Sequence, residues 1–175
     1  MYLTKKLFLI IVFISLNSNS VALSDVPAFL DFKLILNKSI AGKKAQDTLQ
    51  QQLDSGIKSI NSKQKNLLEE EKKIIQQKKI ISAEDYKKQV NNLRNKVSLL
   101  QKERNALLGN VAKQRSKARN DLLKTLNPIL KDYMVEKNIK MVIDKKNILL
   151  ADDELNITKD IMVLLNKKLK SIDLK

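Results

Sequence analysis

Most of the side chains in this sequence that could take part in chemistry are the primary amines of lysine. Lys and Arg together number 34 against 19 Asp and Glu, which gives the 175-residue chain a formal net charge of +15. Ammonium groups at this density attract polyanions, acidic proteins and anionic lipid surfaces. Six lysines flank the short apolar pair Ile80–Ile81, and together with that pair they are the candidate contacts for such partners: Lys72, Lys73, Lys78, Lys79, Lys87 and Lys88.

The residue types that most enzymes use for catalysis are missing from the sequence. It has no Cys and no His, which excludes disulfides, the usual nitrogen and sulfur ligands of metals, and nucleophiles paired with a histidine base. Only three Gly and two Pro occur, which argues against a glycine-rich loop that cradles phosphate. The composition therefore predicts a protein without catalytic activity, metal or cofactor.

The basic charge also has less specific explanations. Lysine-rich helices commonly present a solvated face, and the excess of Lys over Arg is typical of a low-GC genome. A nucleic-acid binder is an alternative, but only four residues are Arg and aromatic residues make up 4% of the chain. Arg provides bidentate base contacts and aromatic rings provide stacking, so we expect no nucleic-acid partner.

Residues 1–22 have the pattern of a secretory signal peptide. Lys5 and Lys6 precede an apolar run, and the small residues Ser20 and Ala22 predict cleavage after Ala22. An uncleaved membrane anchor is the alternative, but a spanning helix needs about 20 apolar residues and this run has about half as many. We therefore expect an exported, soluble mature chain of 153 residues with a net charge of +13.

Residues 43–125 predict a long helical hairpin, which we call the arm. This segment contains only two Gly and no Pro, so little in it would break a helix. Its apolar residues recur at alternating steps of three and four, which is the repeat of a coiled coil. Ser82 is a candidate N-cap, so the first helix should end near Lys79 and the second begin near Ala83, with the tip near residues 80–84. One unbroken helix is the alternative.

Antiparallel pairing of the two arm helices predicts which residues meet across their seam. Leu67 faces Val97, whereas the polar residues Gln64 and Glu71 fall opposite leucines. This imperfect seam predicts a marginally stable arm of about 37 residues per helix, roughly 55 Å long. The arm carries 20 basic and 9 acidic residues, which is nearly all of the excess positive charge.

So thin an arm cannot form a globular core, and residues 23–42 and 126–175 are predicted to form a small body at its base. The first segment contains a strand candidate, Val26–Asp31, and a short helix or turn over Phe32–Leu36. These segments bury too little apolar area for an independent body. We therefore expect a homo-oligomer in which strands from several chains close a barrel and leave no free edges.

The C-terminal segment predicts a helical run, two strands and a final helix. Pro128 either kinks the helical run or begins a new first turn. The β-rich runs 139–144 and 148–151 are joined by a Lys-Lys-Asn turn and predict a hairpin. Asn156 or Thr158 caps the final amphipathic helix. The candidate strand residues shared between chains are Phe29, Leu30, Met141, Val142, Ile143, Ile148 and Leu149.

Two segments of the sequence resemble proteins of the Skp/OmpH family. Residues 29–45 read FLDFKLILNKSIAGKKA, which is similar to the family's opening: a strand ending in Asp, a short apolar stretch, Ser, Ala-Gly and a long helix. Residues 141–161 contain Met-Val-Ile-Asp and later Ile157-Thr158, and look like the family's strand pair and terminal helix. The departures are Pro27 in the first strand and the unusually lysine-heavy arm.

The resemblance implies a mainly α fold with a small β body, in which a trimer shares a central β-barrel and three helical hairpins project from it. It implies an ATP-independent periplasmic chaperone that holds unfolded outer-membrane β-barrel proteins between basic arms, with lipopolysaccharide or anionic lipid as a further partner. Ile75, Ile80 and Ile81 would supply apolar contacts near the tip. A structural or adaptor coiled-coil protein of the cell envelope, without client binding, is the alternative.

Overall fold

The computed structural model describes residues 27–174, which form a mainly helical chain with two short strands. The signal-peptide prediction and Val26 lie outside the described residues. Two 3-10 turns, Lys145–Asn147 and Asp153–Leu155, precede the last helix. The elements in chain order are β1 (Ala28–Leu30), α1 (Phe32–Lys38), α2 (Ile40–Gln77), α3 (Ala83–Glu136), β2 (Val142–Asp144) and α4 (Thr158–Lys168).

Side-chain caps and one glycine shape the corner between α1 and α2. Asp31 Oδ1 accepts a hydrogen bond from Leu34 N (2.7 Å) at the start of α1, and the fully buried Ser39 Oγ accepts one from Gly42 N (3.1 Å) at the start of α2. A Cβ at position 42 would overlap the carbonyl oxygen of Leu36. The Ser-Ile-Ala-Gly sequence thus lets the second helix begin directly against the first.

The predicted break at the tip of the hairpin is confirmed. The helix α2 ends at Gln77 and α3 begins at Ala83, so the arm is not one unbroken helix. Ser82 Oγ accepts a hydrogen bond from Asp85 N (3.0 Å) and donates one to the Asp85 carboxylate (2.7 Å). This side-chain cap satisfies a backbone donor of the first turn and explains why α3 begins after Ser82.

The helix α3 leaves the arm and continues into the body without a break. The predicted new first turn at Pro128 is wrong, because this residue lies inside the 54-residue helix. A proline removes one backbone hydrogen bond from a helix interior. The neighbouring Leu126 and Ile129 are buried in the core, and their packing holds the helical turn in place.

The two strands pair in parallel, with Phe29 opposite Ile143. Just before β2, Met141 O accepts a hydrogen bond from Ala28 N (3.0 Å). On the other side of β1, Phe29 forms a single bridge to Asn156. The strand β1 therefore has neighbours on both sides, whereas within residues 27–174 the outer edge of β2 has no strand beside it.

The predicted hairpin between residues 139–144 and 148–151 is wrong in this chain. Of the first predicted strand, 139–144, only Val142–Asp144 (β2) is a strand, and residues 148–151 form none. Asp144 Oδ1 caps the 3-10 turn by accepting a hydrogen bond from Lys146 N (3.3 Å), and this turn leads the chain away from the edge of β2. Leu149 and Leu150 are left fully exposed.

The hydrophobic core lies in the body, where β1, α1, the C-terminal part of α3 and α4 meet. Tyr133 closes one side of it, and its hydroxyl donates a hydrogen bond to Asp160 Oδ2 (2.6 Å). Desolvation first, and then this hydrogen bond and carboxylate charge, raise the pKa of Tyr133 to about 12. The core residues are Ala28, Leu30, Ile35, Leu122, Leu126, Ile129, Tyr133, Ile157, Ile161 and Leu165.

The start of α4 is tied to β1 through Thr158. Its buried hydroxyl accepts a hydrogen bond from Asp31 N (2.8 Å) and donates one to Asn156 Oδ1 (2.6 Å). Beside it, Ile157 N donates to Phe29 O (3.0 Å). The predicted cap is only partly correct. Ile157 occupies the cap position, and Asn156, the residue before it, accepts a hydrogen bond from Thr158 N (3.1 Å).

The last residues, 169–174, return to the base of the arm. Ile172 packs against the core, and Leu174 O accepts a hydrogen bond from Gln114 Nε2 (3.0 Å). Lys117 Nζ donates to the carbonyl oxygen of Asp173. The C-terminal tail thus fastens α4 to the stretch of α3 where the arm leaves the body.

Candidate functional site

The tip of the arm presents a small apolar surface. Residues 78–82 form the turn, and Ile81 N donates a hydrogen bond to Gln77 O (3.1 Å). Ile80 is 83% exposed, Ile75 is also exposed, and Ile81 is half-buried. These three isoleucines, predicted as apolar contacts, therefore lie at the end of the arm, with two of them open to solvent.

The six predicted lysines are all exposed near this turn. Lys72 pairs with Glu69 at 3.1 Å, and Lys78 Nζ lies 5.8 Å from the ring centroid of Tyr86. Exposed pairs of this kind are weak, so the tip keeps a strongly positive field. Four of the six form no ion pair with any residue of the range 27–174: Lys73, Lys79, Lys87 and Lys88.

A second surface, halfway along the arm, was missed by the sequence analysis. It is an open groove of about 430 Å³ between α2 and α3. Leu68 is 50% exposed and Val97 is 51% exposed, although each belongs to the apolar side of its helix. We call this surface the mid-arm groove and define it by Leu67, Leu68, Leu93, Arg94, Val97 and Arg104.

The imperfect seam predicted from the sequence explains why the groove exists. Gln64 and Glu71 occupy seam positions on α2, and both are exposed. Because a polar side chain is costly to bury without a partner, these two residues stay exposed at the groove and do not cover the leucines opposite them. The polar seam positions were thus the sequence signal for the groove.

The two sides of the arm differ in how they are joined. On one side, Lys63 pairs with Glu103 and Lys96 with Glu70, each at 2.6 Å across the two helices. The mid-arm groove lies on the other side, where Arg94 and Arg104 line the open space. The interhelical ion pairs show that the two helices run antiparallel, in a register within about two residues of the predicted one.

The candidate strand residues are divided between the interior of the chain and its surface. Phe29 and Leu30 are buried within their own chain, so they are poor candidates for contact with a partner. Val142, Ile143 and Ile148 are half-buried, whereas Met141 and Leu149 are exposed. The exposed residues and the outer edge of β2 give the body an uncovered apolar surface.

The described residues offer surfaces for binding and show no cluster suited to metal chemistry. Within residues 27–174, no group of three or more His, Cys, Asp or Glu side chains is placed to hold a metal ion. In the same range, none of the helices has the length and apolar character needed to cross a bilayer. The candidate functional surfaces are the arm and the uncovered face of the body, because exposed cations and apolar side chains lie there.

Sequence and structure both match one group of known proteins. The family model described as outer membrane protein (OmpH-like) matches residues 27–165. The fold is similar to the crystal structure of a "putative outer membrane chaperone (OmpH-like)" from Caulobacter crescentus CB15, with a TM-score of 0.76 and 17% identity over 85% of this chain and 89% of that chain. At that identity the likeness shows a shared fold alone. No curated protein matches the sequence.

Proposed function

Because the chain belongs to the outer membrane protein (OmpH-like) family, we propose that it is an ATP-independent holdase chaperone of the periplasm. It binds unfolded outer-membrane β-barrel proteins between basic helical arms and prevents their aggregation. One observation carries this proposal: a two-helix arm whose cations and apolar side chains remain uncovered over most of its length. It has no catalytic role, and release is passive, driven by the client folding into the membrane.

Two features of the arm support weak and adaptable binding. Its net charge of +11 between residues 43 and 124 attracts acidic unfolded chains over a distance set by the ionic strength. Its exposed apolar residues are scattered over tip and middle, so they offer many small contacts and no deep enclosed pocket. Many weak contacts suit a client that has no fixed shape.

The proposed location depends on the first 22 residues. Cleavage after Ala22 would release the mature chain into the periplasm, where unfolded outer-membrane proteins are in transit. Lipopolysaccharide or another anionic lipid surface is a further proposed partner of the arm lysines, and nucleic acid is not a partner. The division into an arm of residues 43–125 and a body from residues 23–42 and 126–175 also remains a proposal.

Self-association into a trimer completes the proposed architecture. Within residues 27–174 the outer edge of β2 has no paired strand, and residues 148–151, which follow β2 in the chain after the 3-10 turn, carry the exposed Leu149 and Leu150. An unpaired edge together with exposed leucines favours pairing with another chain. If residues 148–151 of one chain extend the sheet of the next, three chains close a shared barrel and the arms project together.

A dilution assay tests the holdase function. A urea-unfolded outer-membrane β-barrel protein is diluted into buffer with the mature chain, and aggregation is followed by light scattering. We expect aggregation to be suppressed when about one trimer is present per client molecule. Salt above about 0.3 M should weaken the suppression, because screening shortens the range of the arm charges. Lysozyme, a basic protein of similar size and without arms, is the control for charge alone.

The assay distinguishes a holdase from a structural coiled-coil protein. Suppression by the chain and not by lysozyme supports the holdase. Aggregation that proceeds unchanged beside the correctly assembled chain would favour the alternative, a structural or adaptor coiled-coil protein of the envelope without client binding.

A further inference from the structure

We propose that the mid-arm groove, more than the tip, holds the client: it takes an apolar side chain of an extended polypeptide segment whose neighbouring residue is acidic. This inference rests on the proposed holdase function and assigns that function to particular residues. The groove combines an apolar floor with two guanidinium groups and one carboxylate, that of Glu71, whereas the tip lysines surround isoleucines at a turn.

The seam of the arm is open in its middle. On α2, no residue between Ile60 and Ile74 is buried, and on α3 the first buried residue is Val111. The apolar side chains in this stretch keep contact with water, although a regular coiled coil would bury them as knobs in holes. Filling the groove with another apolar side chain would remove this surface from water and so favours binding.

The two sides of the arm beside the groove carry different charges. Across the seam, the ion pairs Lys63–Glu103 and Glu70–Lys96 connect the helices. On the groove side, neither Arg94 nor Arg104 forms an ion pair with any residue of the range 27–174. Glu71 also lines the groove but pairs with neither of them, so two guanidinium groups face one carboxylate and the groove keeps a positive excess that favours a carboxylate from outside the chain.

The charges and the size of the groove identify the occupant. A guanidinium binds a carboxylate through two parallel hydrogen bonds, and two of the four Arg in the chain lie here. A volume of about 430 Å³ has room for one or two large apolar side chains. Folded proteins bury such side chains, so an unfolded segment that places Phe or Leu beside Asp or Glu fits the groove best.

Paired surface variants test the groove without disturbing the fold. Leu68→Gln removes an apolar contact, and its matched control is Leu108→Gln, because Leu108 is 51% exposed on the arm and lies outside the groove. The double variant Arg94→Gln, Arg104→Gln removes the guanidinium groups. Its control is Lys102→Gln, Lys113→Gln, which removes the same charge from exposed positions of α3 outside the groove.

Binding is measured with a fluorescein-labelled unstructured peptide that carries Phe-Asp pairs, by anisotropy at low salt. We expect each groove variant to raise the Kd of the peptide at least about fivefold, because it removes either a partly buried leucine contact or charge-assisted hydrogen bonds. Each control variant should raise the Kd less than about twofold. Far-UV circular dichroism should give the same helicity for all variants.

The outcomes separate this inference from the function on which it rests. If the unmodified chain fails to prevent aggregation of the unfolded β-barrel protein, the proposed function is wrong. If it succeeds while the groove variants bind the peptide as tightly as their controls, the groove assignment is wrong. The assignment also fails if the groove variants lose binding only to phosphatidylglycerol vesicles, or if Ile80→Gln alone weakens the peptide complex.

Discussion

Single polar groups decide how distant parts of this chain meet. The hydroxyl of Thr158 accepts a hydrogen bond from Asp31 N and donates one to Asn156, so it joins the end of β1 to the start of α4. Gly42 has a similar role at the corner of α1 and α2, where any side chain would overlap the carbonyl oxygen of Leu36. The short motifs that resemble the family opening and ending therefore mark places where segments are joined.

Replacing Thr158 with valine keeps the shape of the side chain and removes the hydroxyl. The backbone N–H of Asp31 then loses its acceptor, and a donor left unsatisfied away from water costs about 1–3 kcal/mol. We expect the free energy of unfolding to fall by that amount, measured by urea denaturation. Thr158→Ser keeps the hydroxyl and should lose less. Equal losses in both variants would mean that the methyl group, and not the hydrogen bond, holds the joint.

At the scale of elements, the arm helices are buried unevenly along their seam. Ile60 and Ile74 are buried on α2, but the predicted seam residue Val97 is half-exposed. The C-terminal tail adds a contact at the other end of the arm, where it binds Gln114 and Lys117 of α3. The arm is thus held at its base and at separate points along its length, with an open stretch between them.

Uneven burial predicts unequal costs for the same substitution along the seam. Ile74→Asp places a charge at a buried position and should lower the free energy of unfolding by more than about 2 kcal/mol, whereas Val97→Asp should cost less than about 1 kcal/mol. Thermal melting followed by circular dichroism at 222 nm measures the difference. A larger loss for Val97→Asp would show that the middle of the seam closes in solution.

At the scale of the whole molecule, the single chain leaves one apolar face of its body uncovered. Leu149 and Leu150, which follow β2 in the chain after the 3-10 turn, are almost fully exposed. The chain's own core, by contrast, is complete around α4 and the end of α3. A partner chain would cover the exposed leucines without rearranging this core.

Leu149→Asp tests the proposed trimer. The side chain is fully exposed in the single chain, so the variant should keep its fold and lose assembly, because a charge is costly to bury at an interface. Sedimentation equilibrium should show the mass fall from trimer to monomer, while the control Leu108→Asp on the arm stays trimeric. A trimer mass in Leu149→Asp would remove residues 148–151 from the interface. Ile143→Asp is less specific, because Ile143 also pairs with Phe29 within the chain.

Local signals were sufficient to predict the two helices of the arm and the break between them. Ser82 predicted the start of α3 because its side chain satisfies a backbone N–H within the first turn of that helix. The three-and-four spacing of apolar residues predicted the seam, because it repeats along each helix. The break near residues 80–84 then predicted that the two helices pair antiparallel. The polar residues Gln64 and Glu71 indicated where that seam is weak.

Only the tertiary structure decided the arrangement of the body. The apolar run at 148–151 has the composition of a strand, but a capped 3-10 turn directs it away from β2, which pairs in parallel with β1 more than a hundred residues earlier in the sequence. The position of the tail and the continuity of α3 through Pro128 likewise depend on packing against distant segments. Residue preferences describe each segment alone, whereas these outcomes depend on which segments compete for the same core.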